Sequence, residues 1–177
     1  KRTEIIYNYT DLNPAQQNPD FSERDIDVIY SGLISEKRGV FEMIESIHSA
    51  SKLLPDIKAV FIGKIHSEKL KNRILKKIND LSLENNISIY DFVPYKDISK
   101  YYLRSKIGLG IFQPIPTHKI ILQIKIFEYM AFGITIIGSD FGHIKEYIQK
   151  DNVGFTTNCF DSQKTGDLIV RTLREKE

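Results

Sequence analysis

Short apolar runs alternate with amphipathic helical segments from residue 27 onward, and this alternation restricts the fold more than any other feature of the sequence. The segments between the runs repeat apolar residues every three or four positions, as the buried face of a helix does. The runs lie at 27–32, 57–62, 87–90, 107–112, 134–137 and 153–156. Strands alternating with helices predict a parallel sheet covered on both faces. We therefore predict an α/β fold, a Rossmann-like doubly wound sheet of about six strands in the order 3-2-1-4-5-6.

In a doubly wound sheet, ligands bind outside the carboxyl ends of the strands. The predicted strand ends place five residues on that rim: Gly32, Gly63, Val93, Phe112 and Asp140. A ligand site is therefore expected near these positions.

Segment 119–141 predicts a helix, a left-handed stop at Gly133 and a buried strand. The 3.6-residue period of the helix predicts a buried face. That face consists of Ile120, Ile124, Phe127 and Ala131.

Glu128 is the one carboxylate of this helix, and Lys125 lies three residues earlier on a similar face. A carboxylate that faces the sheet costs free energy unless it is paired or binds a ligand. Two interpretations follow from the residues alone. The pair either forms a simple ion pair within the helix, or it binds a ribose and a phosphate at the rim of the sheet.

Segment 32–39 predicts a strand, a glycine, a loop and a helix start. Gly32 allows the backbone to approach a ligand closely, and Arg38 and Gly39 stand where the helix begins. Free N–H groups and the helix dipole favour an anion there, and arginine can bind a diphosphate with two donors. The segment lacks the glycine spacing of a dinucleotide-binding or Walker loop, so neither NAD nor ATP is indicated.

The sequences KIFEYMAFG…IIGSDFGHIKEYI and SGLISEKRG resemble the C-terminal donor-binding domain of GT4-like (group 1) retaining glycosyltransferases, which have the GT-B fold. The resemblance extends from about Asn8 to the end of the chain. It implies that Arg38 contacts the diphosphate of a nucleotide sugar, that Lys125 lies near the phosphates and that Glu128 accepts hydrogen bonds from the ribose hydroxyls. Its implied donor site comprises Gly32, Arg38, Gly39, Gly63, Val93, Lys125 and Glu128.

The chain departs from the family pattern at four positions, one of which is Gln123, where a subgroup of the family tends to have proline. Leu33 stands where a second cation is usual, Ile120 where many members have a second glutamate, and Asp91 where a glycine is usual near the nucleobase. The resemblance also implies that loop 113–121 cups the sugar, with Thr117 and His118 as candidate contacts. The sugar, the base, the acceptor and the linkage stay open.

The resemblance also implies a domain organisation. Residues 1–26 are predicted to be an interdomain linker or arm, and residues 27–177 the donor-binding domain. The chain starts at Lys1 rather than methionine, so we expect it to be part of a longer protein whose N-terminal acceptor domain is absent here. The catalytic residues are expected in that domain, and this fragment alone is predicted to be inactive.

Composition excludes several classes of function. The net charge of +2 gives no indication of nucleic-acid binding, and the histidines show no metal-ligand spacing. Arg38, Lys125 and helix N-termini would balance the diphosphate charge, so no cofactor and no metal are expected. A single cysteine, Cys159, excludes an internal disulfide and suits a reducing compartment. The sequence thus favours a cytoplasmic enzyme and leaves open a peripheral association of the full-length protein with the membrane.

The predicted function is transfer of a sugar from a nucleotide-diphospho-sugar to an acceptor, in glycan or polysaccharide biosynthesis. Two alternatives stay open. One is a nucleotide-sugar epimerase of the same fold, which product analysis without an acceptor would distinguish. The other is a non-enzymatic nucleotide-binding module, which the absence of a partner domain in the parent gene would favour.

Overall fold

The computed structural model describes residues 18–121 and 123–176 of the chain. Its six strands are β1 (Ile26–Ser31), β2 (Ala59–Ile62), β3 (Ile87–Tyr90), β4 (Ser105–Gly110), β5 (Thr135–Ser139) and β6 (Gly154–Thr157). They form one parallel sheet in the order β3-β2-β1-β4-β5-β6. Both the predicted fold class and the predicted strand order are confirmed.

Helices follow the strands along the chain. They are α1 (Val40–Ser51), α2 (Glu68–Asp80), α3 (Tyr95–Tyr102), α4 (Pro116–Ile120), α5 (Ile124–Ala131), α6 (Gly142–Lys150) and α7 (Ser162–Lys176). Short 3-10 turns occur at Phe21–Glu23 and Glu36–Arg38.

Two hydrophobic cores lie on opposite faces of the sheet. One includes buried residues of α1, α2 and α7, and the other includes those of α3, α5 and α6. Neighbouring residues of β1 alternate between them: Val28 and Tyr30 belong to the first core and Ile29 to the second. Because successive side chains of a strand point to opposite faces, the central residues of a strand covered on both sides are apolar.

The predicted helix through Ile120 and Ala131 is interrupted, and its predicted buried face is wrong at Ile120 and Ile124, while Phe127 and Ala131 are half-buried. The backbone is extended at Ile121, so α4 ends at Ile120 and α5 begins again at Ile124. Ile120 is 72% exposed and Ile124 is 37% exposed. Because α5 starts with a new phase, it buries Ile126, Glu128 and Tyr129 instead.

The end of the predicted linker is fastened to the domain. The guanidinium of Arg24 is buried and donates to the carbonyl oxygens of Ser105 at 2.6 Å and Phe132 at 2.9 Å. Residues 1–17, which include Asn8, where the family resemblance begins, lie outside the described residues. The predicted domain boundary after residue 26 stays a prediction. The first strand of the sheet already begins at Ile26.

Candidate functional site

A cleft of about 510 Å³ opens at the carboxyl ends of β1, β2 and β3, between the start of α3 and one side of α5. Five of the predicted site residues line it: Gly32, Gly63, Val93, Lys125 and Glu128. The strand order brings them together, because consecutive parallel strands end at the same edge of the sheet. Its volume suits a small-molecule ligand.

The loops after β1 and β2 meet at the floor of the cleft. Gly63 has φ of +157°, and a Cβ atom at this position would lie 1.6 Å from the carbonyl oxygen of Gly32. Only glycine permits this approach without moving the backbone. Above this close contact the space is open and forms the cleft.

Two cations converge on Gly32. A Cβ atom placed on this glycine would lie 2.5 Å from Nζ of Lys125 and 3.7 Å from Nη1 of Arg38. The ammonium of Lys125 also lies 5.7 Å from the ring centroid of Tyr30, a distance that allows a cation–π contact. Two positive charges at one point on the sheet rim favour a ligand with two negative charges.

Burial lowers the pKa of Lys125 to about 8. The carboxylate of Glu128 opposes this shift, and Arg38 adds to it. No ion pair within 4 Å joins Lys125 to a carboxylate in the described part of the chain. An anion in the cleft would therefore offset the cost of holding this ammonium away from water.

Glu128 is buried among apolar neighbours but is not part of an intrahelical ion pair. Its Oε2 accepts a hydrogen bond of 2.6 Å from the hydroxyl of Tyr102, and that hydroxyl lies 2.6 Å from Oγ of Ser31. The carboxylate lines the cleft beside Lys125. Of the two interpretations that the sequence left open, the simple helical pair does not describe the structure.

Arg38 and Gly39 lie where the sequence predicts, at the entry to α1. Arg38 ends the 3-10 turn, and Gly39 is the N-cap of the helix. Gly39 packs against the backbone after β4, where a Cβ atom would come within 2.4 Å of the carbonyl oxygen of Ile111. Neither residue lines the cleft itself, but Arg38 reaches its edge beside Gly32.

The candidate sugar contacts lie apart from the cleft. Thr117 is exposed on α4, while the ring of His118 is buried and packs edge-on against Phe112 at 5.4 Å. Nδ1 of His118 lies 3.0 Å from the carbonyl oxygen of Gln113. Through these contacts His118 stabilises the loop. Its contact with a sugar stays a prediction.

Ser31 and Tyr102 line the cleft but were not among the predicted site residues. Tyr102 lies one helical turn after Ile98 on the buried face of α3, and that spacing was visible. A buried tyrosine needs a hydrogen-bond partner for its hydroxyl. The sequence could not show that the partner is Glu128, because α3 and α5 meet only in the folded domain.

Two further features bear on function. Among residues 18–121 and 123–176, no cluster of three or more histidine, cysteine or acidic side chains is arranged to hold a metal ion. None of the helices described there is both long enough and apolar enough to span a bilayer.

The fold and the cleft define a doubly wound α/β domain with two cations and a carboxylate at the carboxyl ends of its strands, where such sheets bind ligands. The chain belongs to the family described as glycosyl transferases group 1, whose model matches residues 13–177.

The chain is also similar to three proteins that are already described. Spore coat protein SA of Bacillus subtilis (strain 168) is 25% identical over 140 residues, which is 77% of this chain and 36% of that protein. The C-terminal domain of a glycosyl transferase group 1 family protein from Francisella tularensis shares the fold with a TM-score of 0.73 and 23% identity, covering 92% of this chain and 88% of that one. HepE of Anabaena in complex with UDP gives a TM-score of 0.73 at 19% identity, covering 89% and 41%. The chain thus spans about a third of the length of the curated relative that it matches.

Proposed function

We propose that this chain is the donor-binding domain of a retaining glycosyltransferase that moves a sugar from a nucleotide-diphospho-sugar to an acceptor. The observation that carries the proposal is the convergence of Arg38 and Lys125 on Gly32, in the cleft that Glu128 lines. The arrangement matches the charge of a diphosphate and the hydroxyls of a ribose. HepE, which shares the fold, was solved with UDP and with UDP and glucose.

The task of this domain is electrostatic. The leaving nucleoside diphosphate gains negative charge as the sugar departs, and fixed cations stabilise that charge in the transition state. Arg38 and Lys125 would do so without a metal ion, while Glu128 would hold the ribose and orient the donor. The acceptor and the residues that act on the sugar would belong to an N-terminal domain, joined through residues 1–26.

An epimerase of the same fold is the second candidate. It would use the same cleft for the nucleotide and would convert the donor without any acceptor. Incubating the full-length protein with a nucleotide sugar alone separates the two, because an epimerase yields a new nucleotide sugar and the transferase does not.

We expect no sugar transfer by residues 1–177 alone. Half of the proposed site belongs to the other domain, so bound donor has neither an acceptor nor the groups that act on its sugar. Incubation with a panel of UDP- and GDP-sugars and acceptors should release no nucleotide above the blank. Sustained transfer by this chain would contradict the two-domain proposal.

We expect UDP or GDP binding to weaken as the pH rises above about 8, the pKa of Lys125 in the free protein. A diphosphate favours the ammonium form, so binding raises this pKa and takes up a proton when the pH exceeds it. At about pH 7 the ammonium is already present, so the contribution of Lys125 to affinity is complete. Calorimetry between pH 7 and 9.5, in buffers of different ionisation enthalpy, measures both affinity and proton uptake.

The matched variants are Lys125→Met and Arg38→Met. Both should weaken binding, but only Lys125→Met should abolish the proton uptake, because arginine stays charged throughout this range. Binding should also weaken with added salt, since Arg38 and Lys125 are only partly shielded in an open cleft and salt screens their attraction for the phosphates. Equal affinity for the bare nucleoside would contradict a site centred on the phosphates.

A further inference from the structure

Three buried tyrosines lie near the carboxyl end of β1, and each hydroxyl has a different partner. Tyr30 donates to the carbonyl oxygen of Leu33 at 2.8 Å, and the hydroxyl of Tyr129 accepts from the backbone N–H of Ser31 at 3.2 Å. Tyr102 alone bonds to the carboxylate of the cleft, at 2.6 Å from Oε2 of Glu128. Its position therefore differs from that of an ordinary core tyrosine satisfied by the backbone.

The direction of the hydrogen bonds around Tyr102 follows from its single proton. An ionised carboxylate can only accept, so the Tyr102 hydroxyl donates to Glu128. The contact with Ser31 must then run the other way, with Oγ–H of Ser31 donating to the phenol oxygen. Burial, reinforced by Tyr129 and Glu128, raises the pKa of Tyr102 far above its ordinary value, so the phenol keeps its proton.

The ring of Tyr102 is held in place from several sides. It is 1% exposed and packs against Tyr129 at 5.6 Å and Phe132 at 5.3 Å between ring centroids. A fixed phenol that donates to Oε2 restricts rotation of the carboxylate. Oε1 of Glu128 accepts no hydrogen bond from any described residue and is left for a ligand in the cleft.

We infer that Tyr102 is a positioning residue, which fixes the Glu128 carboxylate so that its free oxygen receives a ribose hydroxyl of the donor. The inference rests on the proposed function, because it takes the ligand to be a nucleoside diphosphate. Ser31 supports Tyr102 from the end of β1 and so couples the carboxylate to the rim of the sheet. Tyr102 is 1% exposed and acts on the donor through Glu128.

The test compares UDP or GDP, whichever the wild-type chain binds more tightly, with its 2′,3′-dideoxy form and with pyrophosphate. Calorimetry of the whole chain gives the ratio of the two nucleotide dissociation constants, which measures recognition of the ribose hydroxyls. Tyr102→Phe removes one oxygen and keeps the ring, so we expect the ratio to fall about threefold to tenfold, the loss of one net hydrogen bond. Pyrophosphate affinity should not change.

Tyr101→Phe is the matched control, because it makes the same change one residue earlier on α3, outside the cleft, where the ring packs against Tyr90. Its ratio should equal that of the wild type. Ser31→Ala is a milder second variant, which removes the donor to Tyr102 and should lower the ratio by a smaller factor. In the Glu128→Gln background, Tyr102→Phe should have no further effect on the ratio, because coupled groups are not additive.

The outcomes are distinguishable. If the wild type binds both nucleotides equally, the ribose contact of the proposed function fails and the inference fails with it. If the wild type discriminates and Tyr102→Phe discriminates equally well, only the inference is overturned. A loss of UDP and pyrophosphate affinity by the same factor would also overturn it, because it would show a general structural role.

Discussion

Replacing Gly63 with alanine is expected to lower the free energy of unfolding by about 3–5 kcal/mol, the range of the most damaging single substitutions. The new Cβ atom would lie 1.6 Å from the carbonyl oxygen of Gly32 and 2.6 Å from its carbonyl carbon. Both are backbone atoms, so no side-chain rotation relieves the collision, and the loops after β1 and β2 must separate. The φ of +157° adds conformational strain for a residue with a side chain.

Thermal unfolding measures the effect, and the melting temperature should fall by about 10 °C for a domain of this size. Gly133→Ala is the matched control. The φ of Gly133 is +61°, but the nearest atoms to a Cβ at this position are 3.6 Å away. Alanine there has only the conformational cost of the left-handed backbone. That cost is about 1–2 kcal/mol. Equal losses in the two variants would show that the contact between Gly63 and Gly32 does not matter for stability.

The same substitution bears on the site. The carbonyl of Gly32 stands beside the point on which Lys125 and Arg38 converge, so separating the loops displaces the cations from each other. Any Gly63→Ala protein that remains folded should bind UDP or GDP more weakly than the wild type. Gly133→Ala lies at the opposite end of β5 and should bind normally.

The strand order was predictable because it depends on a local signal repeated along the chain. Each strand coincides with a short run that is rich in apolar residues, and the long helices have a clear apolar period, so the alternation alone selects a doubly wound parallel sheet. The end of α5 was predictable for a similar reason. Gly133 takes the left-handed conformation that the sequence led us to expect.

The phase of α5 was not predictable from the local pattern. Ile120, Ile124, Ile126 and Phe127 offer apolar residues on more than one side, and the choice between faces depends on the extended backbone at Ile121. Packing against the sheet decides it, with Tyr129 fitting over Gly108 of β4. Tertiary contact here overrides the periodicity of a short helix.

The site was partly predictable for a different reason. Lys125 and Glu128 are three residues apart, so they share a face of α5 whichever phase the helix adopts. Arg38 reaches them because β1 ends next to α5 at the sheet rim. The hydrogen bond from Tyr102 depends on the packing of α3 against α5, and nothing local in either segment specifies it.

Replacing Glu128 with glutamine is expected to weaken UDP or GDP binding by about tenfold to a hundredfold. The change keeps the size and the helix propensity of the side chain but removes the charge of the acceptor. A hydrogen bond to a charged group contributes about 1.5–3 kcal/mol, which sets this range. The effect should exceed that of Tyr102→Phe, because the positioned group itself is altered.

Stability without ligand should hardly change or should rise, because a partly buried charge has been removed and the glutamine oxygen can still accept from Tyr102. Thermal unfolding of both proteins checks this. Glu146→Gln is the control, since Glu146 is an exposed carboxylate on α6 outside the cleft and should affect neither binding nor stability.

The decisive measurement compares the ribonucleotide with its 2′,3′-dideoxy form. The wild type should prefer the ribonucleotide, and Glu128→Gln should lose most of that preference while both proteins keep their affinity for pyrophosphate. This pattern would assign the carboxylate to the ribose and the cations to the phosphates. A Glu128→Gln protein that melts well below the wild type yet still distinguishes the two nucleotides would show that Glu128 supports the helix packing rather than the ligand.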